Sequence, residues 1–84
     1  MLELFQYENC PDCHRVREKL SDLMLDFVAR QVAPDQALRT HVELVTGQRD
    51  VPVLIDPENA MVVTEADDII AYLEETYAEK QAAR

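Results

Sequence analysis

The first apolar run of the chain predicts a β-strand in the middle of a sheet. Over residues 2–7, Leu2 and Leu4 fall on one face of an extended chain, while Phe5 and Tyr7 fall on the other. Side chains alternate along a strand, so apolar residues on both faces are typical of a strand that is covered on both sides. We therefore expect a central strand close to the first residue.

The next two segments predict an amphipathic helix and a second strand. From Pro11 to about Met24, apolar residues recur at intervals of three and four, and charged residues take the other face. The apolar positions are Cys13, Val16, Leu20 and Leu23 or Met24. Residues 26–32 are rich in β-formers, so a right-handed parallel crossover is expected between the two strands.

A second helix is predicted in the middle of the chain. Pro34 and Asp35 open its pattern, and Gly47, the single glycine of the chain, ends it, because glycine suits the position after a helix. Its apolar stripe is expected at Leu38, Val42 and Val45.

The last third of the chain predicts a hairpin and a third helix. Residues 51–55 and 61–63 are short apolar runs separated by the turn-forming residues 56–60, so they should pair antiparallel. Residues 64–67 resemble a capping box with Asp in place of the usual Glu. The helix that follows carries its apolar face at Ile69, Ile70, Leu73 and Tyr77, and the tail from about Glu79 is expected to fray.

The resulting order, β-α-β-α-β-β-α, predicts an α/β protein in which a mixed four-stranded sheet packs against three helices. With 84 residues the chain is expected to form one domain, residues 1–84. A balance of 17 acidic against 8 basic residues argues against nucleic-acid or anionic-lipid partners. We expect a cytoplasmic monomer that is not bound to a membrane, since neither a long apolar span nor a leader pattern is present.

The chemistry concentrates in Cys10-Pro11-Asp12-Cys13, at the junction between the first strand and the first helix. Proline suits the first helical position, which makes Cys10 the expected N-cap residue. The helix dipole and the free amides there favour a thiolate, so Cys10 is the candidate nucleophile. Cys13 lies one turn further on, where its sulfur is able to resolve a disulfide formed at Cys10.

Two other uses of the cysteines are weaker hypotheses. A zinc site needs four ligands, and beyond the cysteines the chain offers His14 and His41, the first of which is too close to Cys13 for ordinary finger geometry. The C-x-x-C-H spacing also matches c-type haem attachment, which normally accompanies export. We therefore expect a redox pair and no metal.

Three features in this order resemble the thioredoxin fold in its glutaredoxin form. They are the C-x-x-C pair at the start of the first helix, Val51-Pro52 at the start of the third strand, and the acidic residues that open the last helix. Residues 4–20, 48–55 and 64–73 also resemble the N-terminal domain of glutathione transferases. The resemblance covers nearly the whole chain and implies glutathione as co-substrate.

The resemblance assigns roles in glutathione binding to residues near the third strand. It implies that Pro52 is cis and stands beside Cys10, and that the backbone of Val51 meets the cysteinyl part of glutathione. Arg49 matches a basic or polar position that faces the glycine carboxylate. On sequence alone, Arg49 is equally a solvated charge after a helix.

The resemblance places the γ-glutamyl end of glutathione at the start of the last helix, at Glu65, Ala66 and Asp67. The same residues also serve as a helix cap. Tyr7 stands where many glutaredoxins carry a basic residue, and transferases often have serine in place of Ala66. Asp12 replaces the usual aromatic residue, and its charge opposes a thiolate at Cys10.

The sequence supports three hypotheses of function. The first is a glutathione-dependent thiol–disulfide oxidoreductase that resembles a dithiol glutaredoxin and reduces disulfides or glutathionylated thiols. The second is a non-catalytic glutathione-binding or protein-interaction module that resembles a transferase N-terminal domain. The third keeps the redox pair but takes electrons from a partner that resembles thioredoxin reductase.

Overall fold

The computed structural model describes residues 1–82, and side chains for residues 1–78. The tail from about Glu79, which the sequence predicts to fray, is helical as far as Ala82, the last residue whose backbone is described. Seven elements follow one another in the predicted order: β1 (Leu2–Gln6), α1 (Pro11–Asp22), β2 (Phe27–Gln31), α2 (Thr40–Thr46), β3 (Val53–Asp56), β4 (Met61–Thr64) and α3 (Ala66–Ala82). Short 3₁₀ turns cover Gln36–Leu38 and Pro57–Asn59.

The four strands form one mixed sheet in the order β2-β1-β3-β4. β1 runs parallel to β2, as the crossover predicts, and antiparallel to β3, while β3 and β4 form the antiparallel hairpin. The predicted α/β thioredoxin-like fold is confirmed, with β1 and β3 at the centre of the sheet.

Apolar side chains cover the sheet on both faces, as the two-sided pattern of β1 predicts. The larger cluster joins α1 and α3 to the sheet, and its fully buried members are Leu4, Val16, Leu20, Leu54, Ile69 and Leu73. A smaller cluster joins α2 to the sheet through Phe5, Val42 and Val53. Consecutive residues of β1, Leu4 and Phe5, thus enter different clusters, which fixes the register of the central strand.

The second helix differs from the prediction. The sequence pattern runs from Pro34 to Gly47, but the structure has a 3₁₀ turn at Gln36–Leu38 and begins α2 only at Thr40. The Asp35 side chain accepts the Ala37 N–H at 3.0 Å, which stabilises the tight turn instead of an α-helix.

The apolar stripe predicted for this helix is largely wrong as well. Val42 is fully buried, but Leu38 is 67% exposed and Val45 is 42% exposed. A helix of seven residues has two turns, so it presents few positions to the sheet. Gly47 does follow the helix, with a left-handed φ of 78°.

The predicted capping box at residues 64–67 is also wrong in its register. Thr64 is the last residue of β4 and pairs with Val53, so it is not the cap of α3. The helix begins at Ala66, and Glu65 precedes it with a left-handed φ of 72°. The O of Glu65 accepts the first helical bond, from the N–H of Ile69 at 2.9 Å.

Within residues 1–82, no helix combines the length and apolar character needed to cross a membrane.

Candidate functional site

The sheet topology brings three segments to one edge. Phe5 on β1 pairs with Val53 on β3, and Val53 pairs with Thr64 on β4. The residues that follow β1, precede β3 and follow β4 therefore meet at this edge. They are the loop before Cys10, the segment before Val53, and the start of α3, and we call this edge the thiol edge.

Cys10 caps α1, as the sequence predicts. Pro11 is the first helical residue, and the Cys10 Sγ accepts the Cys13 N–H at 3.2 Å. The Cys10 N–H donates to the Tyr7 O at 3.2 Å, which ties the loop to its own start. Both cysteines are free thiols, with Cys10 6% exposed and Cys13 fully buried.

The environment of Cys13 keeps its thiol protonated. Burial is the largest cause, followed by hydrogen bonding to the Cys10 sulfur, and together they raise the pKa of Cys13 to about 12. The charge of Arg17 works in the opposite direction but does not outweigh them. A protonated Cys13 beside Cys10 provides a donor to a thiolate, the arrangement that a nucleophile–resolver pair needs.

Arg17 ties the cysteine loop to α1. Its guanidinium donates to Gln6 Oε1, and to the Glu8 O at 3.2 Å. Gln6 in turn donates to Gln31 Oε1 at 3.1 Å, which links the end of β1 to β2. The loop that carries Cys10 is therefore held from both sides.

Asp12 forms an ion pair within α1. Its carboxylate lies 3.5 Å from the guanidinium of Arg15, and Arg15 also donates to Asp67 on α3. The hydrogen bond from Arg15 to Asp67 is the largest cause that raises the pKa of Arg15. One arginine thus joins the starts of α1 and α3 and partly neutralises the negative charge of Asp12.

A cavity of about 300 Å³ opens at the thiol edge. Its lining consists of Asp12, Asp50, Val51, Pro52, Glu65 and Ala66. The Val51–Pro52 peptide bond is cis, and Pro52 is buried. Four of the residues assigned to glutathione binding, Val51, Pro52, Glu65 and Ala66, are thus brought together, and the three carboxylates make this lining acidic.

Arg49 does not line the cavity. It donates to Glu43 at 2.9 and 3.2 Å and to the Ala37 O at 3.0 Å. The hydrogen bond from Arg49 lowers the pKa of Glu43. Asp67 likewise has Arg15 as a partner, so both residues already make ionic contacts at the positions that the resemblance assigns to glutathione.

Sequence reasoning missed Arg39, a buried arginine behind the thiol edge. It is 8% exposed, and its guanidinium lies 5.2 Å from the centre of the Tyr7 ring. It also donates to the O atoms of Ala33, Pro34 and Arg49 at 2.8, 3.0 and 3.0 Å. No local sequence pattern predicts that this arginine is buried, because an arginine between two helical turns is ordinarily solvated.

Sequence reasoning also missed a buried carboxylate at the far end of the sheet. Asp56, 1% exposed, accepts hydrogen bonds from Tyr72 and Tyr77, both at 2.6 Å, and from Asn59 at 2.9 Å. Burial alone would raise its pKa, but these hydrogen bonds outweigh burial and lower it. Asp56 lines a second cavity of about 270 Å³, and the other lining residues are Met1, Leu2, Leu25, Asp26, Glu58 and Tyr77. Sequence alone assigned Asp56 to a turn.

The described residues contain no group of three or more His, Cys, Asp and Glu side chains close enough together to hold a metal ion. His14 lies 3.7 Å from Glu18 on the exposed face of α1. His41 packs edge-on against Phe5, with ring centres 5.3 Å apart. The two histidines thus lie in different parts of the fold.

The fold and the cysteine-capped helix define a thioredoxin-like protein of the glutaredoxin and glutathione transferase type. The family model of the glutathione S-transferase N-terminal domain matches residues 4–81. The chain therefore belongs to this family. No curated protein matches it.

Solved structures with the same fold include transferases and a glutaredoxin. A glutathione S-transferase from Rhodospirillum rubrum is 28% identical, with a TM-score of 0.79 over 94% of this chain and 35% of its own. A diazinon-metabolizing glutathione S-transferase of the silkworm Bombyx mori is 23% identical, with a TM-score of 0.81 over 95% of this chain and 40% of its own.

The third comparison is glutaredoxin 2 from Salmonella typhimurium in complex with glutathione. It is 22% identical to this chain, with a TM-score of 0.77 over 88% of this chain and 33% of its own. The chain thus spans 33–40% of the length of these three proteins.

Proposed function

We propose that the chain is a glutathione-dependent thiol–disulfide oxidoreductase of the cytoplasm, with Cys10 as nucleophile and Cys13 as resolving thiol. The observation that carries the proposal is the hydrogen bond from the Cys13 N–H to the Cys10 Sγ, at 3.2 Å, beside a buried Cys13 thiol. A sulfur at a helix cap with a second sulfur one turn further on is the arrangement of a nucleophile and its resolving thiol.

In the first step, the Cys10 thiolate attacks one sulfur of a substrate disulfide. A bond forms between Cys10 and that sulfur, the substrate S–S bond breaks, and the other sulfur leaves with the electron pair and takes up a proton. When the substrate is a glutathionylated thiol, the product is a Cys10–glutathione mixed disulfide and a free substrate thiol.

The mixed disulfide has two routes of resolution. A second glutathione thiolate attacks the bound glutathione sulfur, which releases glutathione disulfide and restores the Cys10 thiolate. Alternatively, Cys13 loses its proton and attacks the Cys10 sulfur, which releases glutathione and leaves a Cys10–Cys13 disulfide. Two further glutathione molecules then reduce that disulfide and are themselves oxidised to glutathione disulfide.

The second route is favoured by a change in the ionisation of Cys13. In the reduced protein, hydrogen bonding to Cys10 and the negative charge of a Cys10 thiolate are among the causes that raise the Cys13 pKa. Once the Cys10 sulfur is in a mixed disulfide, it no longer carries that charge, so burial alone opposes ionisation. The loss of these two contributions favours ionisation of Cys13 at the stage when a mixed disulfide needs resolution.

The acidic cavity supports one orientation of glutathione. The cysteinyl backbone would meet Val51 beside Pro52, and the γ-glutamyl end would lie at the start of α3. Glu65 and Asp67 suit its ammonium, and the backbone N–H groups of the helix start suit its carboxylate. Arg49 would break its ion pair with Glu43 and bind the glycine carboxylate of glutathione instead.

The test is glutathione-coupled reduction of a small mixed disulfide by the wild type, Cys10→Ser and Cys13→Ser. We expect turnover by the wild type and none by Cys10→Ser. Absence of turnover by the wild type would contradict the proposal.

A second candidate is a non-catalytic glutathione-binding or protein-interaction module, favoured by the match to a transferase domain that is about a third of the length of its solved relatives. It predicts that Cys10→Ser and the wild type bind glutathione equally and that neither turns over the disulfide.

A further inference from the structure

Two segments at the thiol edge, which we call its walls, come from different parts of the chain. Both contact the same buried side chain. One wall is the loop from Tyr7 to Cys10. The other is the segment that leads from Arg49 through Asp50 to Val51. Arg39, which precedes α2, contacts both walls.

Contact with the first wall is through an aromatic ring. The Arg39 guanidinium lies over the Tyr7 ring, 5.2 Å from its centre, a distance at which a cation and a ring attract each other. Tyr7 is half-buried, and its backbone O accepts the Cys10 N–H. Movement of Tyr7 therefore reaches Cys10 through one hydrogen bond.

Contact with the second wall is through the backbone. Arg39 Nη1 donates to the Arg49 O at 3.0 Å, two residues before Val51. The other donors of the same guanidinium go to Ala33 and Pro34, at 2.8 and 3.0 Å, and anchor it to the loop after β2. Three carbonyl acceptors and a ring fix the planar group in one orientation.

The partners of Arg39 are unusual for a buried charge. Among the residues that the structure describes, no carboxylate lies within ion-pair distance of it, although 17 acidic residues are present in the chain. A buried guanidinium needs hydrogen-bond acceptors, and here backbone carbonyl groups of two separate segments accept from three of its five N–H groups. The fold therefore uses the directional fork of this arginine, which a simple positive charge does not provide.

We infer that Arg39 is a positioning residue that sets the separation between the Tyr7–Cys10 wall and the Arg49–Val51 wall, and so the fit of a thiol ligand between Cys10 and Val51. The effect on glutathione rests on the proposed function. The mechanical link between the two walls does not, because it follows from the contacts of Arg39 alone.

The structural arm of the test compares backbone amide shifts and hydrogen exchange by NMR in the wild type and Arg39→Lys. Lysine keeps the positive charge but lacks the planar fork of donors, so amides in both walls, residues 7–10 and 49–51, are expected to shift and to exchange faster. Arg30→Lys is the control, since Arg30 pairs with Glu3 between β1 and β2. Changes confined to one wall, or absent from both, would overturn the inference.

A second pair of variants tests the same inference without changing Arg39, in case Arg39→Lys does not fold. Tyr7→Leu removes the ring beneath the guanidinium, whereas Tyr7→Phe keeps it. We expect Tyr7→Leu to shift amides in residues 49–51, in the other wall, and Tyr7→Phe to leave them in place. Equal spectra for the two variants in that segment would show that Arg39 does not couple the walls.

The activity arm measures the KM for glutathione and kcat for the same variants. Loss of hydrogen bonds from a charged group that positions the ligand should raise KM by about ten-fold in Arg39→Lys while kcat changes little. An unchanged KM in a variant whose two walls have both moved would refute the link to ligand fit. Absence of turnover by the wild type would instead refute the proposed function, and the NMR arm would still decide the role of Arg39.

Discussion

The backbone N–H of Cys13 donates a 3.2 Å hydrogen bond to the sulfur of Cys10. The two residues are one helical turn apart, so the geometry follows from the cap position of the first cysteine. The contact orients the Cys10 sulfur above the start of α1 and leaves the Cys13 side chain on the core-facing side, where it is fully buried. The same helix therefore holds one cysteine at the cap and the other in the core.

Cys13→Ser separates the resolving role of this residue from a purely structural one. Without the second sulfur the Cys10–glutathione disulfide does not close internally, so the variant should reduce small glutathionylated substrates and lose the reduction of protein disulfides. Mass spectrometry after mild oxidation supplies an independent measurement, since a Cys10–Cys13 disulfide is lighter than the dithiol by two hydrogen atoms. If only glutathione adducts accumulate and Cys13→Ser keeps both activities, the dithiol mechanism is wrong.

Arg49→Ala tests whether this arginine leaves Glu43 to bind glutathione. A charge-assisted contact that is shielded from water contributes roughly 1.5–3 kcal/mol, so its loss should weaken glutathione binding by about ten-fold or more. Titration of Cys10→Ser with glutathione, with and without Arg49→Ala, measures this.

Glu43→Gln is the matched control for Arg49, because it weakens the ion pair without removing the arginine. It should leave glutathione affinity unchanged or strengthen it. Equal affinity for all three proteins would mean that Arg49 only holds Glu43 and the Ala37 carbonyl.

Asp56 should make the stability of the protein depend on pH in the acid range. Burial and its hydrogen bonds together leave the pKa of Asp56 below its ordinary value. A carboxylate with a lowered folded-state pKa contributes stability above its unfolded pKa of about 3.9, and that contribution is lost as pH falls through the lower folded value. Urea unfolding of the wild type should therefore show a loss of stability below about pH 4.

Asp56→Asn should be less stable than the wild type near neutral pH and should lack this part of the acid dependence. Exposed Asp68→Asn serves as the control and should keep it. An Asp56→Asn profile parallel to that of the wild type would show that the buried carboxylate is not the group responsible.

Gly47→Ala tests the backbone at the end of α2. Gly47 has a φ of 78°, and a Cβ added there would meet nothing within 4 Å, so the cost should come from backbone conformation alone. We expect a loss of about 1 kcal/mol in the free energy of unfolding for alanine. Asparagine tolerates the left-handed region better, so Gly47→Asn should lose less. Thermal unfolding of the two variants measures the difference, and equal losses would contradict the explanation.

The sequence by itself determined the order of elements and the position of the cysteine pair. Alternation in β1 and the three- and four-residue spacing in α1 are local patterns, because each element must bury one face whatever its neighbours are. Pro11 likewise fixes the start of α1, which makes Cys10 its cap without reference to the rest of the chain.

Only the tertiary structure decided which partners the long polar side chains take. Arg39 reaches Tyr7 and Arg49, and Tyr77 reaches Asp56 across 21 residues of chain. Tertiary structure also decided that the second predicted helix is divided into a 3₁₀ turn and α2. The sequence pattern there is helical throughout, but Arg39 is buried between the two elements. A periodic pattern records which face is buried, whereas a hydrogen bond between distant segments depends on where the fold brings their ends together.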